Sequence, residues 1–334
     1  MNKLTVLFIS FSLFFFYSCK KSDGYKPNAG GKAGELLVVM NDTWKDTKAG
    51  EKLMEVLKQP YMGLPQPEPM FDVSTISYEG LNDFMKTYRN LLMVKITPNV
   101  EEDTVLYYKD VWAKEQALVK INAKSEKDFL ALLDRHEIRM LSFFNKAERE
   151  RSMKYFRKYI NKEFSDKIRG KFGVFVSIPN SFTRINEKKN FIWMNEGSPA
   201  ASEGIMVYSF PYVGEGSFSK EYLLNKRDSV LKKDVPGPTE GSYMSTEMAF
   251  PPIYKVTHIN GEKVVEMRGL WKVVGDMMGG PWIMHAHYDK KHNRVIVLDA
   301  YVYSPEKNDK RDKIRQLEAV LYSYKKVDKS KPKD

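Results

Sequence analysis

The 334-residue chain contains one cysteine, Cys19, so no intramolecular disulfide can brace its fold. Whatever it folds into must be held by ordinary buried cores. The composition allows this: 42% of residues are hydrophobic and 13% aromatic, as in globular proteins rather than disordered ones. Cys19 also marks an address. Lys3, an apolar run from Leu4 to Tyr17 and the small residue Ser18 precede it. That is the order of a charged n-region, an apolar h-region and a lipobox-like cleavage site. The run is shorter than the roughly 20 residues that span a bilayer, and Lys20 and Lys21 end it. The expectation is a signal peptide over 1–18, lipidation at Cys19 and export. The protein would then be anchored by its lipid to the outer membrane or cell envelope. The competing reading is an uncleaved anchor with a buried structural cysteine.

Formal net charge is +11, or +10 once Lys3 leaves with the signal. A basic balance can serve nucleic acid, anionic lipid or acidic glycans. An exported protein rarely meets nucleic acid, and the lysines are spread along the chain, so a solvated surface is the expected role of most of them. The densest cluster is the tail from Lys325 to Lys333.

Periodicity divides the remainder. Ser22 to Gly34, rich in Lys, Gly, Pro and Asn, reads as a flexible tether over 19–34. Leu36–Met40, Phe71–Ser77 and Leu91–Thr97 read as strands, Thr47–Lys58 and Leu81–Tyr88 as helices. Between them, Pro65, Pro67 and Pro69 impose an extended crossover. Val105–Ile121 looks like one long strand. Ser125 opens a helix as an N-cap, Glu137–Phe144 breaks the helical period, and a helix from Lys146 to Arg169 follows. These elements make 35–170 an N-terminal α/β domain.

Beyond Gly170 come three strands, a helix opened by Ser219, and two hairpins. The first turns at Asn260-Gly261, where both residues accept positive φ. A closing helix spans Lys310–Tyr324. This makes 171–325 a C-terminal antiparallel α+β domain with helices on one face of its sheet, followed by a basic tail over 326–334. The overall fold class expected is α+β.

Several pieces carry a resemblance. They are Ser18-Cys19, the Pro65-Gln66-Pro67-Glu68-Pro69 segment, Arg89-Asn90 before a strand, and Met278-Gly279-Gly280-Pro281. Over almost its full length the chain is similar to an uncharacterised family of Bacteroidetes-type lipoproteins, a domain-of-unknown-function family. Phe16 departs from the strictest lipobox. The second half resembles a Mog1/PsbP-like sandwich through Val176–Phe182, the strand at Trp193 and the Tyr303-Ser304-Pro305 run. The family resemblance implies no activity, ligand or catalytic residue.

Two internal sites stand out. His285, His287 and Asp289 alternate on one strand face, roughly 6–7 Å apart. Two imidazoles and a carboxylate there could hold a divalent metal; the plainer reading is the wet face of a half-buried strand. Gly275, Asp276, Met277, Met278, Gly279, Gly280 and Pro281 form a glycine-rich connection flanked by Trp271 and Trp282. It is a candidate binding loop, against the reading of a tight turn that needs glycine. No Gly-x-Ser-x-Gly, Walker, Gly-x-Gly-x-x-Gly or His-Glu-x-x-His motif occurs, and no catalytic residue is assigned. The functional expectation is a non-enzymatic binding or assembly module. Its partners would be the membrane, through lipidated Cys19, and an envelope protein, met at the glycine loop or between the halves. The alternative is a metal-binding envelope protein using the His-x-His-x-Asp strand.

Overall fold

The computed structural model describes residues 25–198 and 200–327. Cys19, the signal segment and residues 328–334 of the basic tail lie outside the described residues. The first half runs β1 (Glu35–Met40), α1 (Asp42–Lys45), α2 (Lys48–Leu57), β2 (Asp72–Ile76), α3 (Asp83–Lys86), β3 (Asn90–Ile96), β4 (Thr104–Lys109), β5 (Ala117–Ala123) and α4 (Glu126–Lys158). The sheet order is β2-β1-β3-β5-β4, parallel except for β4 against β5. Its central strands β1, β3 and β5 are mostly apolar on both faces because both are covered, while the edge strands β2 and β4 are more polar and exposed. Leu36, Val38 and Val119 meet α2 and α4, while Leu37, Val39 and Leu118 meet Tyr78, Leu81 and Trp112.

The single strand expected over Val105–Ile121 is a hairpin instead, turning through Asp110 and Glu115, both at positive φ. The break expected at Glu137–Phe144 is absent. After Leu133 the buried stripe continues through Met140, Leu141 and Phe144, a helical spacing that the 82%-exposed Ile138 obscures. The resulting 33-residue helix is about 50 Å long. It ends at Tyr159, and the Asn161 side chain caps a new helix by accepting from the Phe164 N–H, so no single helix spans Lys146–Arg169. The segment expected to be a free tether is fixed from Pro27 onward. Ala29 donates to Lys114 O, Gly30 to Thr87 O, and Lys114 to Pro27 O.

The second half contains α5 (Lys162–Phe172), β6 (Val174–Phe175), β7 (Arg184–Lys188), β8 (Phe191–Ser198), β9 (Ala201–Pro211), α6 (Lys220–Asp234), β10 (Tyr243–Thr246), β11 (Ile253–Ile259), β12 (Glu262–Val274), β13 (Gly279–Asp289), β14 (Arg294–Tyr303), α7 (Lys310–Tyr322) and β15 (Lys325–Lys326). The antiparallel sheet runs β10-β12-β13-β14-β9-β8-β7, and β11 pairs with the first part of β12. Asn260 and Gly261 turn the β11–β12 hairpin at φ 52° and 81°. Helices cover both faces, not one. α5 and α7 pack on Ile192, Ile283, Ile296 and Leu298, while α6 packs on Met206, Trp282, Met284 and Val297. The fold is therefore α+β: a mostly parallel sheet with helices, then an antiparallel sheet between helical layers. No helix among the described residues is long and apolar enough to cross a membrane.

The proline segment joins the two halves. Nothing in its own chain neighbourhood caps α7: the Asp309 side chain makes no cap bond. Glu68, 5% exposed, does so from the other half, accepting from the N–H groups of Lys310 (3.1 Å) and Arg311 (3.0 Å). A carboxylate there satisfies two orphan donors and faces the positive end of the helix dipole. Arg311 then grips Asp72 with both terminal nitrogens, at 3.1 and 2.7 Å. The prolines hold this staple extended.

Candidate functional site

The halves meet along a cleft of about 430 Å³. One wall is α4, with Ile138, Leu141, Asn145 and Arg149. The other is the β11–β12 ribbon, with Ile253, Lys255, Thr257, Glu266 and Arg268, and α7 supplies Arg315, Glu318 and Tyr322. Strand alternation explains the ribbon's share. Ile253 pairs with Arg268 and Lys255 with Glu266 in register, so all four project on one side.

At its base lies a charge network. Arg268 donates from Nε to Glu266 at 2.9 Å and contacts Glu318 through Nη2 at 2.9 Å. Arg149 donates to the other Glu318 oxygen at 2.8 Å and stacks over the Tyr322 ring at 3.8 Å. Tyr61 donates its hydroxyl to Glu318 at 2.9 Å and accepts from Arg268 at 3.1 Å. The Tyr322 hydroxyl donates to Glu266 at 3.1 Å, and His285 Nε2 lies 3.1 Å from the same oxygen. Two carboxylates thus face two guanidiniums.

Burial alone would raise the pKa of Glu266, but the Arg268 charge and the bonds from His285 and Arg268 outweigh it and hold the carboxyl well below its usual range. Glu318 is likewise pulled down, against burial, by Arg268 and Arg149. Burial pushes Tyr61 up. These carboxylates stay ionised and saturated with donors, so they present fixed charge and hydrogen-bond acceptors. One group is incompletely used. Arg315 donates to Met70 O and Asn145 Oδ1, yet its buried Nε and Nη1 have no partner.

Of the residues singled out in sequence, only His285 joins this network. Glu266, Arg268, Arg149, Glu318 and Tyr61 were not anticipated. A faint signal existed: Glu318 interrupts the apolar stripe Ile314, Leu317, Leu321, and Glu266 and Arg268 alternate with the buried Val265 and Met267.

The His-x-His-x-Asp face is buried rather than wet, and its three side chains do not converge. His285 and His287 are 0% and 1% exposed because α7 and the chain after it cover them. His285 is edge-on to Tyr322, and His287 stacks on Tyr324 at 3.7 Å and 16°. The two rings are 6.0 Å apart. Asp289 is committed elsewhere, accepting from Arg294 Nε at 2.8 Å and facing His292 Nδ1 at 2.7 Å. Among the described residues, no group of three His, Cys, Asp or Glu side chains could hold a metal. Burial pushes the His287 pKa well down, helped by His285 and Lys326.

The glycine-rich connection is a hairpin turn more than a loop. Gly275 takes φ 90°, while Gly279, Gly280 and Pro281 are already in β13, opposite Lys272, Trp271 and Leu270. Asp276 is half-buried and Met277 fully exposed. Trp282 is buried under the Arg227 guanidinium at 3.9 Å. Met278 and Trp271 turn to a second cavity, on the α6 face of the sheet.

Two family models match the chain, one in each half. Residues 29–157 match "Domain of unknown function (DUF8532)" and residues 161–323 match "Domain of unknown function (DUF4837)". They meet where α4 ends and Asn161 starts α5. No curated protein matches the chain. Among solved structures it is similar to a point mutant of the protein Mog1, at 12% identity and TM-score 0.30, covering 47% of this chain and 93% of that one. It is similar also to the Ran-binding protein Mog1p of Saccharomyces cerevisiae, at 11% identity and TM-score 0.30, covering 47% and 92%.

Proposed function

We propose that the chain is a non-enzymatic binding or assembly module of the cell envelope, lipid-anchored through Cys19, that receives an extended segment of an envelope protein between its halves. The observation that carries the reading is the β11 wall. Among the described residues β11 pairs only with β12, so its outer row of N–H and C=O groups is free to pair with an added strand. Ile253 on it is 38% exposed, and Met62 (60%) and Ile138 (82%) line the same cleft. Natural sheets seldom leave an apolar edge open without a use. The saturated charges at the base favour recognition over proton transfer. The Ser18-Cys19 pair after an apolar run supports the anchor and the exported location.

Photo-crosslinkers placed at Ile253 and Ile138 in intact cells test the site, with Glu102, in the loop before β4, as control. The expected result is a discrete envelope-protein adduct from the cleft positions and none from Glu102. Equal, diffuse labelling from all three positions would reject the reading. Cys19→Ser is expected to move the protein from the membrane to the soluble fraction.

A further inference from the structure

The second cavity, about 390 Å³ on the α6 side of the sheet, is at the small end of pockets that take small ligands. Its walls are aromatic: Trp193 on β8, Trp271 on β12, and Tyr301 and Tyr303 on β14. The Trp271 ring meets Tyr301 at 5.4 Å and 71°, and Tyr303 at 6.1 Å and 56°. Trp271 is locked by a 3.1 Å bond from Nε1 to Val302 O. Glycines make the placement possible. A Cβ on Gly204 would run into the Tyr301 ring, and one on Gly280 into the Val302 carbonyl beside Trp271. The glycine pair before Pro281 therefore serves this wall.

Two polar atoms in the walls lack partners. Asn195 Oδ1 is buried without a hydrogen bond. Trp193 Nε1 is near the Tyr301 hydroxyl but makes no aligned bond. Buried polar groups are ordinarily satisfied, so the pair calls for a ligand that donates to a carbonyl and accepts from an indole N–H. A hydroxyl does both. The rim carries one cation and one anion, Arg184 and Glu196, and Arg184 already donates to Gly197 O at 2.6 Å. No net charge selects an ion.

We infer that this cavity binds a neutral pyranose sugar, free or as a residue of a glycan. Its C–H faces stack on Trp193 and Tyr303, the two half-buried rings of the wall, which Trp271 and Tyr301 back from the core, and its hydroxyls pair with Asn195 and Trp193. An apolar or proline side chain could fill the same rings but would leave Asn195 Oδ1 unpaired.

The site is separate from the cleft and stands or falls independently of it. The test is tryptophan fluorescence and ligand-observed NMR on the full chain, with glucose, galactose, mannose, N-acetylglucosamine and their linear trimers at millimolar concentration. At least one is expected to bind saturably, the free sugars and the trimers separating the two sources. Trp193→Phe and Asn195→Leu should each weaken binding tenfold or more. Asn195→Leu should leave the melting temperature unchanged, since the amide side chain gives up no bond. The inference is overturned by no saturable sugar, by affinity unchanged in both variants, or by a proline-rich peptide binding where sugars do not.

Discussion

Replacing His287 by Phe should remove an acid sensitivity built into the second half. The native imidazole is 1% exposed, stacked on Tyr324, and its Nε2 has no partner. Burial, with His285 and Lys326 adding to it, holds its pKa well below 6.5. The unfolded chain can take a proton there below about pH 6.5 and the native chain cannot, so acid favours unfolding. With the native pKa far below the working range, the unfolded value sets the size. Between pH 7.5 and 5.5 the loss grows to about RT ln 11, or roughly 1.4 kcal/mol. Phe keeps the ring stack and removes the titration. Urea unfolding of both proteins at the two pH values, followed by tryptophan fluorescence, reads the difference. Contributions from the other histidines cancel between the two proteins. The variant should gain about 1.4 kcal/mol relative to wild type on acidification. A wild-type-to-variant difference that stays constant with pH would refute the argument, because it would mean the native imidazole protonates as readily as the unfolded one.

Three further substitutions probe the joints of the molecule. Arg268→Ala strips the shared cation from Glu266 and Glu318 and should cost about 3–5 kcal/mol in urea unfolding, as for broken buried pairs; a loss below about 1 kcal/mol would mean that water already screens the cleft base. Glu68→Ala uncaps α7 and should cost about 1–2 kcal/mol, with faster amide exchange at Lys310 and Arg311 as its local signature. Gly280→Ala drives a methyl into the Val302 carbonyl and should destabilise by about 1–3 kcal/mol, whereas a neutral result would show that β13 and β14 can part there freely.

Local chemistry was legible where a residue acts on its own neighbours. Ser125 and Ser219 cap the helices they open, and Asn260-Gly261 turns its hairpin. Reading failed where tertiary contact overrides local pattern. α6 buries Leu223, Arg227 and Leu231 on one stripe, and the arginine in the middle weakens the apolar signal that would have placed this helix against the sheet. Arg227 tolerates 0% exposure because Asp299 receives its Nε at 2.7 Å and Thr246 its Nη1 at 2.9 Å. The histidine strand misled for the reverse reason. Polar alternation suggested a wet face, yet Tyr322 and Tyr324 arrive from the end of the chain and roof it.

The cleft was invisible for a stronger reason. Its pairs join Arg149 to Glu318, Tyr61 to Arg268 and Tyr61 to Glu318, across 169, 207 and 257 positions. No periodicity or motif reports a pairing between halves that a single sequence presents as separate α/β and antiparallel units. The same pairings decide what kind of slot the cleft is. A carboxylate from the first half caps a helix of the second, Arg311 grips Asp72, and Arg268 and Arg149 share Glu318. All of these except Arg268–Glu318 join the two halves, and each has low exposure on at least one side. Opening the cleft would leave buried charges unpaired, at a cost of several kcal/mol. A segment entering between α4 and β11 therefore meets walls already set, and loses little affinity to ordering the receptor. If so, Arg268→Ala should weaken capture by the cleft even though Arg268 sits at its base, because the variant loosens the walls that the segment must fit.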